Sequence, residues 1–125
     1  MWLRNQKRVM VISLDVREEI EVRRFWAERG LDDCYQLVET VVFGNRDQVG
    51  LKVSEIRPDG IILPPVIKGA YNPLYLMLNL RVRYHYQGLF AMVNIQAAGA
   101  DGLVSCLSRG FEIKEQAEAG SRWTE

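Results

Sequence analysis

Short apolar runs rich in β-branched residues alternate with longer amphipathic segments about five times along the chain. The predicted strands cover residues 9–12, 35–43, 61–63, 89–95 and 111–113. Where strands alternate with helices in this way, the strands form a parallel sheet, and right-handed crossovers place the helices on its faces. The alternation therefore predicts an α/β domain in which a five-stranded parallel sheet lies between two layers of helices.

The segments between these strands carry the start and stop signals of helices. Acidic residues open the first predicted helix, and Gly30 ends it. The second and third helices are predicted over about residues 46–56 and 74–86, and Asn72-Pro73 opens the latter, with the proline at a first helical position. A fourth helix is predicted over residues 97–108, with Gly110 as its cap.

The composition is that of one globular domain. With 48% hydrophobic and 26% charged residues, the chain suits a single domain over residues 1–125, with a core of about 7–115 and a polar C-terminal tail. Because we find neither a membrane-length apolar run nor a secretory signal, we expect a cytoplasmic protein without a membrane segment. The zero net charge excludes a broadly basic nucleic-acid binder. Cys34 and Cys106 form no CxxC pattern, so we expect two buried or half-buried thiols rather than a disulfide.

Residues 55–63, with the sequence Glu-Ile-Arg-Pro-Asp-Gly-Ile-Ile-Leu, carry a family resemblance. They resemble the stretch that leads into and forms the third strand of bacterial response-regulator receiver domains. Residues 9–12 resemble the first strand of those domains, and residues 107–111 resemble the turn before their fifth strand. The resemblance implies a flavodoxin-like, CheY-like three-layer α/β/α sandwich with strand order 2-1-3-4-5, and a function in two-component signal transduction.

The positions that carry phosphorylation chemistry in receivers hold other residues here. A phosphorylated receiver has an acidic pair after strand one for Mg²⁺, an aspartate after strand three, a serine or threonine after strand four and a lysine after strand five. The matching positions are Ser13, Leu14, Pro64 and Asn94, and Lys114 lies too early for the lysine. Since proline has no carboxylate that could accept a phosphoryl group, the resemblance implies a phosphorylation-independent pseudo-receiver without catalytic residues, metal or cofactor.

The third predicted helix has apolar residues on nearly every side, whereas the surface helix of a monomer has a polar face. We prefer the interpretation that two copies meet through this helix, and the candidate interface residues are Leu74, Met77, Leu78, Arg81 and Tyr84. Burial between neighbouring elements, or a ligand pocket beside the helix, would also explain the pattern. The cations and aromatic rings of residues 81–86 are typical of base-stacking surfaces, but we prefer a solvated helix end and expect no nucleic-acid partner.

The sequence leaves two functions open. The preferred one is a non-enzymatic signalling module that acts through contact with a protein partner. The alternative is a small-molecule-binding domain or small enzyme that uses the crevice at the strand ends, where four polar residues would converge: Ser13, Asp15, Lys68 and Asn94. Our preferred role for Asp15 is the N-cap of the first helix, and for Asp59 a turn. No GxGxxG, P-loop or GxSxG motif supports an enzyme.

Overall fold

The computed structural model describes residues 6–123 of the chain, and the side chains of residues 6–120. These residues form a parallel sheet with the strands β1 (Lys7–Ser13), β2 (Tyr35–Val42), β3 (Gly60–Leu63) and β4 (Leu89–Met92), in the order β2-β1-β3-β4. The helices are α1 (Val16–Glu28), α2 (Arg46–Ile56), α3 (Pro73–Val82) and α4 (Ile95–Trp123), and a 3₁₀ turn (Leu31–Asp33) precedes β2. The α/β fold, the parallel sheet and the first four predicted strands are therefore confirmed.

Alternation along β1 divides the core into two layers. Val9 and Val11 point into the layer that α1 and α4 cover. Met10 and Ile12 point into the layer that α2 and α3 cover. Because both faces of the strand are buried, its sequence is a continuous apolar run rather than an alternating one.

The predicted fifth strand is wrong, because residues 111–113 belong to α4. The buried side chains in this part of α4 recur at the four-residue spacing of a helical stripe: Leu103, Leu107 and Phe111. Gly110, which suggested a cap, lies within the helix, where a Cβ atom would come 2.9 Å from the side chain of Leu89. The glycine therefore permits close packing of α4 on β4 and does not end the helix.

Two element ends differ from the prediction. α3 ends at Val82, and His85 then adopts a left-handed backbone conformation (φ 55°) that turns the chain so that Tyr86 is buried. β4 is shorter than predicted, because the Asn94 side chain accepts a hydrogen bond from the Ala97 N–H (3.1 Å) and begins α4. A backbone turn thus follows the end of α3 and a side-chain cap follows the end of β4, and both elements end before the apolar pattern does.

α4 lies on a face of the sheet that a crossover to a fifth strand would not use. α2 and α3 carry the chain across the sheet in one direction, from β2 to β3 and on to β4, and both lie on one face. α1 carries it in the opposite direction and lies on the other face, as right-handed crossovers require. α4 packs beside α1, whereas a right-handed crossover to a strand beyond β4 would lie beside α3. Within residues 6–123 the sheet therefore ends at β4.

The structure also bears on two expectations drawn from composition. Cys34 and Cys106 are both free thiols, as predicted, but both are exposed rather than buried. In the part of the chain that the structure describes, no helix combines the length and apolar character needed to cross a membrane.

Candidate functional site

The four positions that match the phosphorylation site of a receiver lie at the carboxyl edge of the sheet. Ser13 ends β1 and is fully buried, and its hydroxyl has no hydrogen-bond partner among the described residues. Leu14 follows and is half-buried, whereas Pro64 directly follows β3 and is buried. Asn94 is exposed and caps α4. The four residues share one edge, and none of them offers a carboxylate.

The loop after β3 is fixed by hydrogen bonds of its own. The backbones of Lys68 and Tyr71 exchange two hydrogen bonds, at 3.0 and 2.9 Å. The Tyr71 ring is buried edge-on against Phe43, and its hydroxyl donates to the Pro64 carbonyl at 2.8 Å. Desolvation raises the pKa of the Tyr71 hydroxyl well above its ordinary value, so the hydroxyl remains a donor. This anchored loop holds Pro64 over the carboxyl edge.

A cavity of about 290 Å³ opens at this edge, between α1, the start of α4 and the loop after β3. Its lining is mainly apolar and includes Leu14, Pro64, Pro65, Val66 and Val93. Polar groups come from four side chains: Glu18, Glu21, Asn94 and Gln96. Desolvation raises the pKa of the Glu18 carboxyl above its ordinary value. Among residues 6–123, no group of three or more His, Cys, Asp or Glu side chains is placed to hold a metal ion.

The polar residues of the alternative ligand crevice do not meet in this cavity. Asp15 accepts a hydrogen bond from the Glu18 N–H at 2.8 Å and caps α1, which is the role we predicted for it. Lys68 is exposed on its loop and borders a separate groove. Ser13 is buried away from the cavity, so Asn94 is the member of the set that lines it.

Lys114 and Asp59 lie at the opposite, amino edge of the sheet. Lys114 forms an ion pair with Glu118 and lines a cleft of about 450 Å³ at that edge, so it cannot reach Pro64. Asp59 exchanges two hydrogen bonds with the Arg8 backbone: its carboxylate accepts from the Arg8 N–H, and its own N–H donates to the Arg8 carbonyl, both at 2.7 Å. Asp59 therefore has the structural role that the sequence indicated.

An apolar surface lies beside β4, on the face that α2 and α3 cover. Leu74 and Leu78 are 62% and 59% exposed, and Met92 is 46% exposed. Helical spacing places four α3 residues on one side of the helix, and the Arg81 guanidinium lies 4.4 Å from the centroid of the Phe90 ring. We call this region the α3–β4 surface, and its members are Leu74, Met77, Leu78, Arg81, Phe90 and Met92.

The cations and aromatic rings at the end of α3 are engaged within the chain. Arg81 donates from Nη1 to the Tyr86 carbonyl at 2.7 Å. Arg83 forms an ion pair with Asp47 at 3.4 Å. The Tyr84 hydroxyl donates to the same carboxylate at 3.2 Å, which places Tyr84 against α2 and away from the α3–β4 surface. Four of the five candidate interface residues thus share one surface, and the fifth joins α3 to α2.

Sequence reasoning missed the contribution of β4 to this surface. Phe90 and Met92 share the face of the sheet on which α3 lies, because alternate residues of a strand point to the same side. Residues 89–92 were predicted as part of the fourth strand, but a fifth strand was predicted to cover the outer side of this segment. In the structure α4 packs on the other face of the sheet and no strand of residues 6–123 follows β4, so these residues lie at an edge. The sequence pattern did not indicate this placement of α4.

Comparison with known proteins identifies the fold. No family model matches the chain, and no curated protein matches it. The crystal structure of the anti-anti-sigma factor PhyR from Bartonella quintana is similar, with a TM-score of 0.66 and 10% sequence identity over 94% of this chain and 52% of that one. A double mutant of the same protein matches with a TM-score of 0.60 and 11% identity over 89% of this chain and 50% of that one. The chain thus spans about half the length of these structures, and its fold is consistent with the CheY-like fold that the resemblance implied, with four of the five expected strands among residues 6–123.

Proposed function

We propose that the chain is a phosphorylation-independent pseudo-receiver, a signalling module that acts by protein–protein contact. The observation that carries the proposal is the buried Pro64 at the carboxyl end of β3, where a receiver has its phosphoacceptor aspartate. The polar group that Pro64 contributes is its backbone carbonyl, which accepts a hydrogen bond from the Tyr71 hydroxyl. The neighbouring Ser13 and Leu14 offer no carboxylate ligand for Mg²⁺.

The fold neighbours support a regulatory partner rather than a chemical reaction. PhyR is an anti-anti-sigma factor. The chain shares the fold of such a protein, so we extend to it a signalling function, a protein partner and a cytoplasmic location as parts of the proposal.

The α3–β4 surface is our proposed contact region. Exposed large apolar side chains that lie next to one another mark interaction sites more often than single exposed ones do. Leu74, Leu78 and Met92 form such a group, and the cation beside them, Arg81, is paired within the chain. We propose that a second copy of the chain binds there, as the apolar helix suggested.

A small-molecule-binding function is the second candidate, because the carboxyl edge holds a cavity of about 290 Å³. Cavities of this size, mainly apolar and with a few polar groups, accept small ligands. Glu18 and Asn94 would be the polar contacts of such a ligand.

The test of the main proposal is a titration of the ¹⁵N-labelled chain with beryllofluoride and Mg²⁺, which together mimic an aspartyl phosphate. We expect no change in the amide resonances of Ser13, Leu14 or Asn94 beyond that produced by Mg²⁺ and fluoride without beryllium. A beryllium-dependent shift of these resonances would overturn the pseudo-receiver assignment. The same spectra, recorded with a library of small polar fragments, would favour the second candidate if Glu18 and Asn94 shift with saturation.

A further inference from the structure

The outer edge of β4 has backbone groups without partners in the described chain. The N–H groups of Leu89 and Val93 donate to the carbonyls of Asp59 (2.9 Å) and Leu63 (3.0 Å), on the inner side of the strand. Alternate residues of a strand direct their N–H and C=O groups to opposite sides. Phe90 and Met92 therefore direct theirs outward, where no strand of residues 6–123 pairs with them.

Apart from its short length of four residues, this edge lacks the features that protect exposed edge strands. Natural proteins protect such edges with short strands, lysines, prolines, bulges or a covering element. β4 consists of Leu89, Phe90, Ala91 and Met92, with no charged residue and no proline, and its pairing with β3 is regular. Since α4 packs on the opposite face, the α3–β4 surface continues directly from this edge. An apolar edge of this kind is a template for pairing with another strand.

We propose that two copies of this chain join edge to edge, with their β4 strands antiparallel about a two-fold axis, to form one continuous eight-stranded sheet. The inference rests on the dimer in the proposed function and specifies how that dimer is built. With the axis at Ala91, Phe90 of each copy lies opposite Met92 of the other, and these outward-facing pairs exchange four backbone hydrogen bonds. The arrangement also brings the two α3 helices side by side, because α3 is the last helix on its face.

A second copy fits this edge better than an unrelated segment for three reasons. Identical strands pair antiparallel without any mismatch, as an isologous interface requires. The chain has zero net charge, so two copies do not repel each other, and Arg81 already donates to the Tyr86 carbonyl and needs no acidic partner. In the pairing above, the Met92 sulfur of one copy meets the Phe90 ring of the other, which is a favourable contact.

The exposed apolar area supplies part of what a specific dimer buries. Three apolar side chains of the α3–β4 surface expose between 46% and 62% of their surface: Leu74, Leu78 and Met92. They present roughly 300 Å² per copy, within the range of the largest patch that a monomer exposes. Two such patches contribute roughly 600 Å², and the paired strand edges and the half-buried members of the surface supply the rest of the roughly 1,000 Å² of a specific interface.

The deciding substitution is Met92→Pro, with Met92→Ala as its matched control. Proline removes the outward N–H of residue 92 but no hydrogen bond to β3, and edge strands accept it. Alanine shortens the side chain and keeps the N–H. We expect sedimentation equilibrium to show a dimer of the unmodified chain, and a dimer dissociation constant at least about tenfold higher for Met92→Pro than for Met92→Ala, because two of the four hydrogen bonds are lost.

Equal dissociation constants for Met92→Pro and Met92→Ala would overturn the edge pairing. If Leu78→Glu nevertheless converts the dimer to monomers, the dimer of the proposed function would stand. An unmodified chain that stays monomeric would overturn both the edge pairing and the dimer, and the beryllofluoride titration would still judge the pseudo-receiver assignment separately. Should Met92→Pro fail to fold, amide hydrogen exchange of the unmodified chain decides. The Phe90 and Met92 amides must gain protection as protein concentration rises, and unchanged exchange at these two positions would refute the pairing.

Discussion

A pair of substitutions in α4 tests whether residues 111–113 are helical, which is the main difference between this fold and a five-stranded receiver. Phe111 is buried (6% exposed) and its ring stacks on Tyr35 with 6.0 Å between centroids, whereas Ile113 is 55% exposed. In a helix, residues two positions apart point to different sides, but in a strand they point to the same side. Phe111→Ala and Ile113→Lys should therefore have unequal effects on stability.

The expected magnitudes follow from burial. Removal of a buried phenylalanine side chain costs about 3–5 kcal/mol, and the contact with Tyr35 is part of that loss. We expect Phe111→Ala to lower the free energy of unfolding by about 3–4 kcal/mol, a large part of the 5–15 kcal/mol that is typical of a small domain. Ile113→Lys places a long polar residue on an exposed helix position, where changes stay within about 0.5 kcal/mol.

Urea unfolding at one fixed protein concentration measures both values, since a dimer makes the midpoint depend on concentration. Far-UV circular dichroism and tryptophan fluorescence serve as the two probes, and Trp26 is buried in the same layer as α4. A loss for Ile113→Lys as large as that for Phe111→Ala would refute the helical assignment, because both side chains would then face a core. Coincident transitions by the two probes are the control for two-state unfolding.

Three further predictions concern the amino edge and the cavity. Asp59→Ala should lower the free energy of unfolding by about 1–3 kcal/mol, because the Arg8 N–H loses its hydrogen-bond acceptor. Asp59→Asn keeps an acceptor oxygen and should lower the free energy of unfolding by less than half as much. Equal losses for the two variants in urea unfolding would contradict the role of the Asp59–Arg8 hydrogen bond. Gly88→Ala should lower the free energy of unfolding by about 2 kcal/mol or more, because a Cβ atom would lie 1.9 Å from the Tyr86 hydroxyl and 2.6 Å from a backbone carbonyl. An unchanged Tm of this variant would contradict the expected clash. Desolvation raises the pKa of the Glu18 carboxyl, so ionisation of this group lowers the stability of the fold as the pH rises above its ordinary pKa of 4.5. Glu18→Gln should therefore increase the free energy of unfolding at pH 7 but not below pH 4.5. A gain in stability that is independent of pH would argue against this cause.

Four of the strands could be predicted from sequence because each is rich in apolar or β-branched residues and has a clear boundary. β1 and β3 are buried on both faces, so their composition alone distinguishes them from the amphipathic helices around them. The fifth strand could not be judged in this way, because a three-residue segment such as Phe-Glu-Ile at residues 111–113 is too short to distinguish a strand from part of a helix. Gly110 added to the error, since its role is the close approach of α4 to Leu89, which depends on tertiary packing.

The candidate site was only partly predictable for the same physical reason. The four positions matching the phosphorylation site follow strand ends, and parallel strands bring their carboxyl ends to one edge, so their common location follows from local pattern. The interface residues of α3 could be predicted, because the helix has more apolar residues than its one buried side can accommodate. The outward groups of Phe90 and Met92 were not visible, because their exposure depends on the face that α4 occupies.

A fifth strand beside β4 would have two consequences in this fold, and its absence in residues 6–123 links the two proposals. In a receiver, the residue after strand five brings a lysine to the carboxyl edge, whereas here Lys114 is carried by α4 to the amino edge and paired with Glu118. The same strand would also occupy the outward N–H and C=O groups of Phe90 and Met92. Placement of α4 beside α1 thus removes a part of the phosphorylation chemistry and opens the sheet edge at the same time. If the edge pairs with a second copy, the place of the missing strand is taken by β4 of that copy, and Met92→Pro should then weaken assembly at least about tenfold without affecting Pro64 or the cavity beside it.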